Sequence, residues 1–192
     1  GFSDFFQAIF GSSAARREGT VRQAPRPAPL EQVVQISFLE AYQGTQRTVA
    51  INDRRLEVKI PAGADNGTKV RMSGVGQTGP DGRKGDVYLV VEVLPDARFV
   101  RKGHDLHTDV DISLFDAVLG GEARVVTPDG QVVLTIPAGT QPGQTFRLTG
   151  RGMPHLRSPQ VHGDLFAHMK VKLPRNLSKD QRALFEQLAQ TS

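Results

Sequence analysis

Ile60-Pro61-Ala62-Gly63 and Ile136-Pro137-Ala138-Gly139 are one tetrapeptide met twice, 76 residues apart. The register extends far in both directions. Upstream, Ile36-Ser37 meets Ile112-Ser113, Ala41 meets Ala117, Gly44 meets Gly120, Val49 meets Val125 and Asp53 meets Asp129. Downstream, Gly67 meets Gly143, Arg71 meets Arg147, Gly74 meets Gly150 and Gly76 meets Gly152. After a slip of two residues, Gly85-Asp86 meets Gly163-Asp164. Self-similarity of this length marks a duplicated supersecondary unit, and each copy is long enough to own a small core.

Within a unit the local chemistry is that of strands. Val34 and Ile36 alternate with Gln35 and Ser37, the pattern of a strand with one buried face. Ser37-Phe38-Leu39-Glu40 then has capping-box spacing and Gly44 stands where a helix stops, which predicts one short helix at Phe38–Gln43. The second copy keeps this chemistry as Ser113-Leu114-Phe115-Asp116 and Gly120. A strand at Arg47–Ile51 turns through Asn52-Asp53 into another at Leu56–Ile60, and the hairpin recurs around Pro128-Asp129-Gly130. A strand at Thr68–Ser73, a glycine-rich loop and a β-prone run at Asp86–Val93 complete the unit. The fold class is mainly β: two tandem homologous small β-sandwich-like domains, mostly antiparallel, each with one short helix, plus a C-terminal helix. The domains are residues 30–95 and 96–174, with the helix in 175–192. There Ser178-Lys179-Asp180-Gln181 has capping-box spacing, and Leu184, Phe185 and Leu188 follow as an apolar stripe.

Ahead of the first unit, residues 1–11 hold four of the ten phenylalanines, too short and apolar a segment to fold alone. Residues 12–29, dominated by Ser, Ala, Arg and Pro without periodicity, form a flexible linker.

Composition removes several function classes. There is no cysteine, so neither a disulfide nor a thiolate zinc site exists, as suits a cytosolic protein. No apolar run approaches the roughly 18 residues of a membrane span. The formal charge is a modest +4, concentrated in two basic stretches: Arg16, Arg17, Arg22 and Arg26, and then Lys170, Lys172, Arg175, Lys179 and Arg182. Such clusters suit phosphates or acidic tails, or are solvated surface.

Gly74-Val75-Gly76-Gln77-Thr78-Gly79 matches the dinucleotide fingerprint letter for letter, but turn chemistry follows it at Pro80-Asp81-Gly82 where a nucleotide site needs a helix. His104, Asp105, His107, Asp109 and Asp111 have metal-ligand chemistry, yet on a strand His107, Asp109 and Asp111 share the face opposite Leu106, Val110 and Ile112. A solvated face accounts for them, and no metal, cofactor or catalytic constellation is indicated. What remains is surplus apolar surface. Val34, Ile36, Val49, Ile51, Val87, Leu89, Val91 and Val93 mark one side of their strands, while Tyr88 and Val90 make the other face of the last strand apolar too. Such a surplus serves either as core or as a groove open to a ligand.

Val34-Gln35-Ile36-Ser37-Phe38-Leu39-Glu40-Ala41-Tyr42-Gln43-Gly44, Val58-Lys59-Ile60-Pro61-Ala62-Gly63, Gly85-Asp86-Val87-Tyr88-Leu89, Phe99-Val100-Arg101-Lys102-Gly103-His104-Asp105-Leu106 and Gly163-Asp164-Leu165 together carry a family resemblance. The chain resembles the C-terminal part of a DnaJ-type co-chaperone of the class without the cysteine-rich zinc-binding region. Gly1–Gly11 is similar to the end of that family's Gly/Phe-rich segment, and the chain reads as a fragment without the J-domain.

The resemblance implies a non-enzymatic cytoplasmic protein, with no membrane partner, that holds extended apolar segments of unfolded proteins for a DnaK-type ATPase. Carried over by position, the peptide-binding residues are Val34, Val49, Ile51 and Leu89, with Ile36 as neighbour and Gln32 a polar substitute at one pocket position. Arg47, Arg54, Arg55 and Lys59 would receive the acidic tail of the DnaK-type partner, and Leu184, Phe185 and Leu188 would join a homodimer. Some relatives without the zinc region bind curved DNA in the nucleoid, the alternative reading.

Overall fold

A computed structural model describes residues 30–52, 54–79 and 82–191. The Phe-rich segment 1–11, the linker 12–29 and Asp53 of the hairpin turn lie outside them.

In the first unit, β1 (Leu30–Ile36), β4 (Lys69–Met72) and β5 (Val87–Val93) form one sheet in the order β1-β5-β4. Helix α1 (Phe38–Gln43) follows β1, and β2 (Thr45–Ile51) pairs antiparallel with β3 (Arg54–Ile60) as a separate hairpin. The second unit repeats this arrangement: β7 (Asp105–Ser113), β10 (Thr145–Leu148) and β13 (Leu165–Lys172) match β1, β4 and β5, while β8 (Gly121–Thr127) and β9 (Gly130–Ile136) form the hairpin after helix α2 (Leu114–Leu119). The second unit also has β6 (Val100–Lys102) on the outer edge of β7 and a small hairpin, β11 (Pro154–His155) with β12 (Ser158–His162), where the described residues of the first unit show a single antiparallel bridge, Thr78 with Lys84. Helix α3 (Lys179–Gln190) ends the chain.

Local chemistry sets the helix ends. The Glu40 N–H donates to Ser37 Oγ at 3.3 Å and the Glu40 carboxylate accepts the Ser37 N–H at 2.8 Å, closing the capping box. In α2 the shorter Asp116 instead accepts the Ser113 hydroxyl at 2.7 Å, while its own N–H donates to Ser113 Oγ at 3.0 Å. Gly44, at φ 78°, ends α1, and a Cβ there would lie 2.9 Å from the Ala62 nitrogen, so both backbone conformation and space require glycine.

Strand pairing in both units is mostly antiparallel, as the sequence predicts, but not wholly so, because β1 runs parallel to β5 and β7 parallel to β13. The helix, hairpin and β4 lie between the parallel strands and supply the long crossover such pairing needs. Nor does each unit keep a wholly separate core. Val49, Ile51, Val58, Val87 and Leu89 form a cluster inside the first unit. Ile36, Phe38, Ala41, Tyr42, Ile60, Ala64 and Val91, also from that unit, join Phe99, Leu106, Val125, Met153, Leu165 and Met169 of the second in one continuous core. The Phe38 and Phe99 rings stack across the junction with centroids 5.2 Å apart.

Candidate binding groove

The repeated glycines and acids form a structural clasp. Asp86 accepts the Gly74 N–H at 3.1 Å and pairs with Arg71 at 2.6 Å; the Gly76 N–H donates to the Gly85 carbonyl at 2.9 Å. Asp164 does the same with the Gly150 N–H at 2.8 Å and Arg147 at 2.5 Å, and these contacts hold its carboxyl below the usual carboxylate range. The glycine amides that a fingerprint loop would offer to a phosphate are therefore already occupied, and no helix follows them among the described residues.

The aspartates of β7 likewise have partners. Asp109 pairs with Lys170 at 2.5 Å and Asp111 with Lys172 at 2.6 Å across the sheet. His107 Nδ1 lies 2.9 Å from His168 Nε2, and His168 Nδ1 lies 2.8 Å from Thr145 Oγ1. Among the described residues no three His, Asp or Glu side chains converge to hold a metal ion.

Val49, Ile51 and Leu89 do come together, as the floor of the cluster between the β2–β3 hairpin and the β1-β5-β4 sheet. Alternation aims them there: Val49 and Ile51 are the buried positions of β2, and Leu89 is fully buried in β5. Val34 packs half-buried against the same cluster, and Gln32 sits opposite Leu89 in the strand register. Ile36 goes elsewhere. It is fully buried in the core shared by both units, two residues beyond Val34.

The accessible rim includes residues that the sequence reading missed. Leu56 and Val75 are half-buried against the cluster and also line a cavity of about 330 Å3 with Asn52, Arg54, Gln77 and Lys84. Leu56 was detectable, since it alternates with Val58 along β3 and faces Val49. Val75 gave no signal, because it lies in the glycine-rich loop and is held by Asn52 Nδ2 donating to its carbonyl at 3.1 Å. Both β1 and β2 are edge strands among the described residues. A second cavity, about 630 Å3, lies in the other unit and is lined by Val110 and Val126, the repeat counterparts of Val34 and Ala50, with Lys102 and Arg124.

The four basic residues divide between two faces. Arg47 and Arg54 stand opposite Val58 and Ile51 on the inward side of the hairpin, whereas Arg55 and Lys59 stand opposite Ala50 and Gln46 on the outer side. Arg47 is already engaged, 2.6 Å from Glu40. The Ser37 N–H, with Arg47 in support, holds the Glu40 carboxyl down to about 2.

At the C-terminus, the Phe185 ring lies 6.3 Å from Phe115 of α2, while Leu184 and Leu188 are more than half exposed. No helix among the described residues is long and apolar enough to cross a membrane.

Residues 30–174 match the family described as the DnaJ C terminal domain. A Chaperone protein DnaJ from Deinococcus proteolyticus is 36% identical over 215 aligned positions, covering 97% of this chain and 67% of that protein. One from Bartonella quintana is 43% identical over 152 positions, covering 78% of this chain and 40% of the relative. One from Xylella fastidiosa is 46% identical over 139, covering 72% and 38%. The chain thus spans two thirds of the first relative and about two fifths of the other two. The match over 30–174 takes in both repeat units and the junction between them, and the chain belongs to the DnaJ C-terminal domain family.

Proposed function

We propose that the chain is the client-holding part of a cytoplasmic DnaJ-type co-chaperone: its first unit binds extended apolar segments of unfolded proteins and keeps them from aggregating until a DnaK-type ATPase takes them. The observation that carries this reading is an apolar cluster with a half-exposed rim, Val34, Leu56 and Val75, in a unit whose β1 and β2 are both edge strands among the described residues. One Leu or Phe side chain settling on that rim gains about 1.5–3 kcal/mol, and pairing with a strand edge adds affinity without demanding a sequence. The cavity of the second unit beside Val110 and Val126 offers such a chain another resting place.

A single groove of this kind is weak. Two grooves joined through Leu184, Phe185 and Leu188 of α3 in a homodimer would hold two segments of one client and gain by avidity. Arg54, Arg55 and Lys59 have no ion-pair partner among the described residues and would meet an acidic partner tail directly, whereas Arg47 would first have to leave Glu40.

The alternative, binding of curved DNA, draws on Arg175, Lys179 and Arg182, which have no ion-pair partner among the described residues; Lys170 and Lys172 are taken by Asp109 and Asp111. Fluorescence anisotropy of a labelled Leu/Phe-rich peptide and of a labelled duplex, each at several salt concentrations, separates the two. Saturable peptide binding that survives added salt supports client holding. Binding of the duplex alone, falling steeply with salt, supports the DNA reading instead.

A further inference from the structure

One mostly enclosed guanidinium of the second unit reaches across to the backbone of the first. Arg101, on β6, has only 14% of its side chain exposed. Its Nε donates to the Gly103 carbonyl at 2.8 Å, which fixes the fork relative to its own unit. One terminal nitrogen donates to the Ala64 carbonyl at 2.7 Å; the other donates to the Gly63 carbonyl at 3.3 Å and lies 3.5 Å from Asp65. The loop so held is itself tied to the first unit's helix, because the Gly63 N–H donates to the Ala41 carbonyl at 2.8 Å. Arg101 is therefore a bridge from the backbone of one unit to the backbone of the other, and the planar fork makes its direction definite.

The loop that Arg101 holds is also where the second unit packs most closely on the first. The counterpart loop of the second unit, Ala138-Gly139-Thr140, has the same backbone turn, with φ 80° at Gly139 against 84° at Gly63. No atom lies within 4 Å of where a Cβ on Gly139 would point, whereas at Gly63 the backbone of Pro154 and Leu156 crowds the space. The first loop is thus specialised as a socket. Elsewhere the junction includes the stacked Phe38 and Phe99 rings, Tyr42 against His162 with a hydrogen bond to Asp129, and the backbone of Pro154 and Leu156 against Gly63; Arg101 adds two hydrogen bonds from a planar fork to the first unit's backbone.

We propose that Arg101 is a positioning residue that sets the angle between the two units. On the client-holding reading given above, it thereby fixes where the groove of the first unit stands relative to α3 of the second, and so the spacing between two grooves in a dimer. The guanidinium needs its fork for this; a lysine keeps the charge and most of the stem but cannot reach three carbonyls at once.

The chain has no cysteine, so spin labels can be placed cleanly. Nitroxides at Glu57→Cys in β3 and Glu122→Cys in β8, both exposed, report the inter-unit distance by double electron–electron resonance, while a Val33→Cys/Glu57→Cys pair reports distances inside the first unit. The expected result is a narrow inter-unit distribution that broadens at least twofold in both Arg101→Ala and Arg101→Lys, with the intra-unit distribution unchanged. An unchanged inter-unit width in either variant overturns the proposal. Broadening of both pairs together also overturns it, since Arg101 would then merely support the fold. Client holding is read separately, by suppression of aggregation of a long unfolded protein and by affinity for a short apolar peptide. Failure of the unmodified chain in both would reject the client reading and leave the distance test standing.

Discussion

Replacing Gly63 and, in a separate variant, Gly139 with alanine measures how much the union of the two units is worth. The two glycines occupy the same place in the repeat and nearly the same left-handed backbone, φ 84° and 80°. In either, an L-residue costs about 1–2 kcal/mol of backbone strain, part of which is returned because alanine narrows the unfolded ensemble. At Gly139 nothing else happens, since the new methyl points into open space. At Gly63 it would sit 2.4 Å from the Pro154 carbonyl oxygen, 2.9 Å from the Leu156 nitrogen and 3.1 Å from the His155 carbonyl carbon. All three are backbone atoms of the second unit, so relief requires the units to part and the shared core around Phe38 and Ala64 to loosen. Overpacking of this sort costs about 1–3 kcal/mol, and a backbone neighbour puts it towards the upper end. Gly63→Ala should therefore be less stable than Gly139→Ala by about 2–3 kcal/mol, which in a chain of this size is a difference in Tm of about 4–12 °C. Thermal melts of the two variants, followed by far-ultraviolet circular dichroism at one concentration, provide the comparison. Equal losses in Tm would refute the reasoning, because they would mean that the β11–β12 hairpin does not press on the first unit in solution.

Two other outcomes follow from named contacts. Burial first, with Lys102 and His168 adding to it, pushes His107 below the ordinary histidine value, against the opposing pull of Asp105. A histidine depressed in the folded state contributes stability that is complete above about pH 6.5 and is lost as pH falls below it. Melts of the unmodified chain should thus drop in Tm between pH 7.5 and pH 5.5, and His107→Gln should flatten that slope; identical slopes would remove the His107–His168 pair as its origin. Replacing both Leu184 and Leu188 with aspartate should give monomers in sedimentation and weaken suppression of long-client aggregation at least tenfold while leaving short-peptide affinity within twofold. A parallel loss of both activities would contradict avidity as the source of strength.

Features determined by neighbouring residues were legible in the sequence. Helix α1 has the bounds Phe38–Gln43 that its cap chemistry announces, because Ser37, Glu40 and Gly44 satisfy the orphaned groups of the turns beside them. Alternation likewise told which side chains of β2, β5 and β7 face inward. The two hairpins were legible from their turns, but the parallel pairing of β1 with β5 was not, since a period of two looks the same in parallel and antiparallel pairs and β1 meets β5 only after the rest of the unit intervenes. Depth was equally hidden. Val34 and Ile36 share a face of β1, yet the strand crosses the boundary between two clusters, so one reaches the rim and the other the common core. The β11–β12 hairpin escaped because Pro154 and Pro159 interrupt any alternation. Arg47 looked like a free cation because its partner, Glu40, approaches only when the chain folds back after α1.

Burial also governs how the groove should be tested. With Leu89 fully buried and Val49 and Ile51 nearly so, an aspartate at any of them would damage the first unit before it could report on binding. Methyl-resolved NMR avoids substitution altogether. Valine, isoleucine and leucine methyl groups would be labelled and a Leu/Phe-rich peptide titrated in. The client-holding account predicts saturable shifts at Val34, Leu56 and Val75, passed on to Val49, Ile51 and Leu89, with Leu184 and Leu188 unmoved. Shifts confined to the C-terminal helix, or no shifts at peptide concentrations that saturate a DnaJ-type relative, would contradict it.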